Sequence, residues 1–299
     1  MQNLRGIALV ILAMVFFTIE DGFNKFLTGS LPAGQIMVLL GTGGIILFGA
    51  ICAGQRAPVL GPLSRHPAVI TRTIAEGFST LFFISALALV PIATVGAVFQ
   101  ATPLAITLGA ALFLGESVGW RRWSAIGVGF VGVLIVIRPG LEGFRPEALL
   151  VLGAVLSVAV RDLSARRMPE ALPSTVAAFL AFSILVPTGF VLLAIEGRSW
   201  QGMSLPQSGM MLLSFLSMAA GYYCVLLATR IGDASAVTPF RYTRLLFTLI
   251  MGALVFGEIP DLMTYIGATL ILGSGLYTFL RERRLARRTL AESRATPLP

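Results

Sequence analysis

The stretch ATVGAVFQATPLAITLGAALFLGE, residues 93–116, decides how the rest of the chain is read. Ala93–Leu114 carries no charge and is long enough to cross a bilayer, since a spanning helix needs about 20 mostly apolar residues. It closes on Leu112-Phe113-Leu114-Gly115-Glu116, and the chain repeats that ending 142 residues later as Leu254-Val255-Phe256-Gly257-Glu258. Ile126-Gly127 and Ile266-Gly267 then each open a Gly-rich apolar stretch. Upstream, Asp21 recurs as Asp162 and Lys25 as Arg166, both at an offset of 141.

Around this landmark the apolar stretches number ten. Spans 1 to 5 are Leu4–Leu27, Ile36–Ala53, Pro67–Leu89, Ala93–Leu114 and Trp123–Ile137. Spans 6 to 10 are Ala148–Leu163, Ser174–Ile195, Ser208–Thr229, Ala234–Phe256 and Met263–Leu280. Each half holds five spans, an odd number, so the second half enters the membrane from the opposite side. The expected fold is an all-α membrane protein of ten transmembrane helices, arranged as two inverted five-helix repeats. The units are residues 4–139, residues 147–280 and a basic, partly helical tail, 281–299. Repeats of this kind place a substrate site near the midplane between the halves.

Composition excludes the main alternatives. Charged residues make up 12% of the chain, about half the soluble average of ~25%, and the mean hydropathy is +0.88. Cys52 and Cys224 both sit in apolar spans and form neither a disulfide framework nor a metal-ligand spacing. No cofactor motif is present. The net charge of +8 does not indicate nucleic acid, because the arginines follow the loops. With the N-terminus in the cytoplasm, the inner connections and both ends hold Arg5, Arg56, Arg65, Arg121, Arg122, Arg166, Arg167, Arg230 and six tail arginines. The outer connections hold Arg138, Arg145 and Arg198 beside Glu142, Glu147, Glu196, Glu258 and Asp261. Positive charge inside then gives a multi-pass inner-membrane protein with both termini cytoplasmic.

Charge inside hydrocarbon is costly and marks function or pairing, ~2.5–3.5 kcal/mol at a helix centre on insertion scales. Arg241 and Arg244 lie three apart on span 9, hence on one face. They recognise an acidic substrate group, pair with Glu20, Glu76 or Asp162, or snorkel to the inner interface. Asp21 and Lys25 are spaced to neutralise each other at i,i+4, as are Arg72 and Glu76. Glu20 and Asp21 are candidates for a coupling proton, Asp21 first because it recurs as Asp162. Arg161 and Asp162 read as a pair or a gate. Gln100 and Thr102 stand just before Pro103, which can kink span 4, and Tyr242 matches Gln100 at the 142 offset. Tyr222 and Phe82, with Phe78, Phe83 and Tyr223, are candidates for an aromatic wall, with packing as the alternative.

The run Leu87–Leu104, Leu114-Gly-Glu116, Gly119-Trp-Arg-Arg-Trp123 and Ile135-Val-Ile-Arg-Pro-Gly140 resembles an EamA-type repeat of the drug/metabolite transporter superfamily. Ala236-Val-Thr-Pro-Phe-Arg-Tyr-Thr243, Gly257-Glu258 and Gly273-Ser-Gly-Leu276 resemble it in the second half. The resemblance implies a central cavity lined mainly by spans 1, 3, 4, 6, 8 and 9, and alternating access. It implies a secondary transporter of a small polar or amphipathic metabolite, driven by an ion gradient or exchange, since the chain has no ATP-binding motif. Uptake of a riboflavin-like vitamin is an alternative within the same fold, and a lipid-modifying membrane enzyme is a remote one. The partners expected are a small-molecule substrate and the bilayer; a homodimer is compatible with the sequence.

Overall fold

The computed structural model describes residues 2–115, 119–140, 144–231 and 238–295, and the described residues contain helices but no strand. The α-helices are α1 (Gln2–Thr28), α2 (Ala33–Gly54), α3 (Pro67–Leu89), α4 (Ile92–Phe99), α5 (Thr102–Phe113) and α6 (Trp120–Ile137). They continue as α7 (Leu149–Ala165), α8 (Ser174–Ile195), α9 (Leu205–Ile231), α10 (Thr243–Val255) and α11 (Leu262–Ala295). Among the described residues nine segments are long and apolar enough to cross a membrane. The start of span 9, with Ala234 and Ala236, lies outside the described residues, as do Glu116 and Glu142. The chain is a multi-pass membrane protein.

Span 4 is two helices rather than one, α4 and α5. Pro103 has no N–H to donate into the preceding turn, so the ladder breaks there. Thr102 Oγ1 closes the gap by donating to the Phe99 carbonyl at 2.5 Å. In span 9 a 3-10 turn over Thr238–Tyr242 precedes α10, and Thr243 Oγ1 donates to the Phe240 carbonyl at 2.6 Å, although Arg244 rather than a proline stands at the position of Pro103. The two kinks therefore correspond at an offset of 141, one less than at the Gly-Glu endings, which aligns Gln100 with Arg241 rather than with Tyr242. The tail is more regular than its composition suggests, since α11 runs on from span 10 to Ala295.

Packing pairs the spans in a pattern that maps onto itself when each span is exchanged for the one five places on. Span 1 packs on 8 and span 3 on 6, while spans 2 and 7, 4 and 9, and 5 and 10 pack on their own counterparts. Two of these crossings are glycine contacts. A Cβ on Gly34 would lie 2.5 Å from the Gly189 carbonyl oxygen, and one on Gly267 would lie 2.5 Å from that of Gly132. Without side chains the backbones approach closely, which is how membrane helices gain packing energy.

Helix ends are satisfied across the halves. Glu196 accepts from the amides of Ala33 and Gly34 at 3.0 and 3.2 Å, and Glu258 accepts from Ile92 N at 2.7 Å. These carboxylates cap α2 and α4, whose free N–H groups would otherwise be orphaned. The fully buried Gln35 amide exchanges two hydrogen bonds with the Gln201 backbone, both at 2.8 Å. Outside the spans, Asp261 is partly desolvated, yet hydrogen bonds from Thr264 and Arg138 hold its carboxyl down at about 2.

Candidate functional site

The two kinked spans face each other, and spans 1 and 3 complete the enclosure. At the centre Arg244 donates from Nη2 to Asp21 Oδ2 at 2.6 Å, and Asp21 is buried. The Arg244 guanidinium also lies 5.5, 5.9 and 5.6 Å from the ring centres of Phe17, Phe83 and Phe99. Each ring face is attractive to a cation, more so when water is excluded. The arginine is thus held by one carboxylate and three aromatic rings drawn from spans 1, 3 and 4. Gln100 Nε2 reaches the Tyr242 carbonyl at 3.4 Å, linking the kinks directly. The remaining space, lined by Asp21, Phe83, Phe99, Gln100, Arg244 and Thr248, is about 10 Å³. That is room for roughly one water.

One end of this enclosure is shut by Lys25. Its Nζ bonds the carbonyls of Val90 and Leu87 at 2.9 and 3.3 Å and pairs with Glu258 Oε1 at 3.0 Å. It also lies 5.6 Å from the Phe256 ring centre. Because Glu258 caps α4 as well, this single lysine joins span 1, the turn between spans 3 and 4, and the end of span 9. Toward the other end, Arg161 pairs with Glu76 at 3.2 Å and with its neighbour Asp162 at 2.8 Å. Arg241 is exposed there, close enough to feel the charges of Asp162 and Arg161 but in no ion pair among the described residues.

The profile of the EamA-like transporter family matches this chain twice, over residues 4–138 and 145–280. The chain belongs to that family. Among its relatives, a protein named S-adenosylmethionine uptake transporter from Rickettsia prowazekii (strain Madrid E) is 27% identical, covering 94% of both chains. A riboflavin transporter from Rhizobium johnstonii (strain DSM 114642 / LMG 32736 / 3841) is 33% identical over 73% of this chain and 72% of its own. A pseudopaline exporter from Pseudomonas aeruginosa (strain UCBPP-PA14) is 26% identical over 89% and 93%. A solved crystal structure superposes with a TM-score of 0.62 at 20% identity, covering 94% of this chain and 98% of that one, which shows the fold. The protein is a small-metabolite transporter, not an enzyme.

Within this EamA-like transporter the charge pairs differ from those that spacing suggests. Lys25 goes to Glu258 rather than to Asp21, and Asp21 goes to Arg244. Arg72 donates to the Ala177 carbonyl at 3.2 Å, leaving Glu76 to Arg161. In both cases an i,i+4 partner on the same helix loses to a partner on a facing helix. Exposed i,i+4 pairs are worth only ~0.2–0.5 kcal/mol, whereas an unpaired charge inside the bundle costs several. Glu20 is half-buried and has neither hydrogen bond nor ion pair among the described residues.

The aromatic wall is also redistributed. Phe82 packs over Gly153 and stacks on Phe78, at the crossing of spans 3 and 6. Tyr222 meets Phe48 edge-on at 6.1 Å, outside the cavity, and Tyr223 is 63% exposed. Tyr242 turns its ring onto Gly275 of span 10 and offers the site only its carbonyl. Thr102 serves the kink. Phe17 and Phe99 line the site in their place. Phe17 stands one turn before Asp21, and Phe99 is the residue whose carbonyl Thr102 satisfies; those adjacencies are the signals available in the sequence.

Proposed function

We propose that this protein is an alternating-access carrier of amphipathic metabolites that join a flat ring system to a polar chain. The observation that carries this reading is the Asp21–Arg244 pair enclosed by Phe17, Phe83 and Phe99 where the two kinked spans meet. Aromatic rings in that position accept a planar heterocycle by stacking. Exposed Arg241, in no ion pair among the described residues, suits an acidic or other anionic group, because a guanidinium offers a planar fork of donors. Relatives named for riboflavin and for S-adenosylmethionine favour the same class, since both molecules attach a polar chain to a flat nitrogen heterocycle. Riboflavin-like uptake is the first substrate to test.

A cavity of about 10 Å³ holds no such molecule, so binding requires the spans to part. The Lys25–Glu258 bridge is the closed gate at one end, and its release opens the site to that side. The self-mapping pairing of the spans supports inverted repeats that rock about the site. The arginine distribution supports an inner-membrane protein with cytoplasmic termini and the Lys25 end outside. The driving force is an ion gradient, and Glu20 is the coupling residue: Asp21 is committed to Arg244 by an ion pair, whereas Glu20 makes neither hydrogen bond nor ion pair among the described residues.

The test is flux and binding with purified protein. In liposomes containing only this protein, labelled riboflavin or S-adenosylmethionine should equilibrate, while an aliphatic amino acid should not. The double variant Asp21→Asn/Arg244→Gln removes both charges without stranding either. It should weaken binding about 10- to 150-fold, the worth of a charge-assisted hydrogen bond of ~1.5–3 kcal/mol. Unchanged affinity in this variant would move the substrate site elsewhere.

A further inference from the structure

A second cavity lies on the outside of the bundle, between spans 5 and 10, with a volume of about 320 Å³. That size falls in the ~300–1,000 Å³ range of small-ligand clefts. Its floor is made of small residues, Ala125, Val128 and Gly273 with Ser124 and Ser274, whose hydroxyls bond carbonyls of their own helices, and its mouth carries Trp120, Arg121 and Tyr277. Trp120 is 73% exposed and Tyr277 47%, at the helix ends where aromatic residues meet the membrane interface. The Arg121 guanidinium lies 5.3 Å from the Trp120 ring centre. Arg281, one turn beyond Tyr277, lies against Gly119 just below the mouth. No acidic residue lines the cavity among the described residues.

We propose that this groove is a binding site for an anionic phospholipid, with one acyl chain along the floor and the phosphate between Arg121 and Arg281. The occupant follows from the arrangement. Val128 is 46% exposed on the outer face of span 5, within the membrane-crossing stretch, so a groove along it is filled by an acyl chain. It ends in two guanidiniums beside interfacial aromatics, and a guanidinium fork matches a phosphate. Gly273 keeps the floor open, since a Cβ added there would meet nothing within 4 Å. Basic side chains near the surface each add to the affinity for acidic lipid. The site shares none of the residues that line the Asp21–Arg244 centre.

Native mass spectrometry of the purified transporter, titrated with phosphatidylglycerol or phosphatidylcholine, tests the site. Phosphatidylglycerol should be retained and phosphatidylcholine stripped at the same collision energy. Arg121→Gln should weaken phosphatidylglycerol about fivefold, the effect of one basic residue at the surface. Gly273→Leu, which fills open space, should abolish retention while the thermal midpoint in detergent stays at the wild-type value. Inorganic phosphate alone should leave the wild-type midpoint unchanged. Equal retention of the two lipids overturns the proposal, as does full retention in Gly273→Leu. So does a dimer in the wild type that Gly273→Leu dissociates, because the groove would then be filled by a second copy.

Discussion

Arg244 shows how the context of one residue sets its role. Read alone it offers a free guanidinium to an acidic substrate; in the fold it is already neutralised by Asp21 and enclosed by Phe17, Phe83 and Phe99. Removing one member of such a pair leaves an uncompensated charge and costs about 3–5 kcal/mol, whereas removing both is often close to neutral. Asp21→Asn and Arg244→Gln should therefore each lower the thermal midpoint in detergent more than the double variant does. Additive losses would show that the two side chains act independently. Glu20, the residue before Asp21, feels the charge of Arg244 but makes no ion pair among the described residues. Coupling requires a group whose ion occupancy differs between the two states of the carrier. Glu20→Gln should abolish accumulation driven by a pH gradient and spare exchange of labelled substrate at equal pH. Gradient-driven accumulation at the wild-type rate would take Glu20 out of the mechanism.

At the scale of elements, the two kinked spans and the lysine across them are the parts that move in the proposed cycle. Each kink is built from a Phe carbonyl satisfied by a Thr hydroxyl three residues on, Phe99 with Thr102 and Phe240 with Thr243. The kinks expose backbone and side chains to the cavity that a straight helix would bury in its own ladder. Lys25 bridges span 1 to the ends of spans 3 and 9 through Val90, Leu87 and Glu258. Its loss should open that end without touching the rings around Arg244. A cysteine replacing the buried, cavity-lining Val95 should resist an impermeant thiol reagent in the otherwise wild-type protein and react in Lys25→Ala. Protection that persists in Lys25→Ala would assign closure to other contacts. The glycine crossings supply the complementary rigid part: a Cβ on Gly34 would meet backbone at 2.5 Å, so spans 2 and 7 hold a fixed separation.

The whole molecule is a set of spans whose order is read along the chain and whose neighbours are set by exchange of its halves. The orientation of that set is testable in intact cells. Cys52 and Cys224 are buried, so the background labels little. A cysteine at Ala165, between spans 6 and 7, should be shielded from an impermeant reagent, and one at Ser199, between spans 7 and 8, should react. The opposite pattern would invert the molecule and place the Lys25 bridge at the cytoplasmic end. Fold class was legible in the sequence because lipid imposes one-dimensional rules. Every backbone group must be satisfied within its own span, so length and hydropathy suffice to find helices. The kink in span 4 was legible too, through Pro103. Its counterpart in span 9 was harder to see, because Pro239 stands at a different register and the Thr243–Phe240 bond leaves little trace in composition.

By itself, then, the sequence determined the spans, their number, the repeat behind them and the residues that carry charge into the membrane. Each is a local property, set by hydropathy, proline and spacing. Only the tertiary structure decided which charges meet. Asp21 is one turn from Lys25 along its own helix, yet it bonds Arg244 on a helix more than two hundred residues later, and Lys25 reaches Glu258 instead. In hydrocarbon a charge is stabilised by whichever counter-charge and ring faces the packing of other spans brings within reach, and that proximity has no representation in the order of residues.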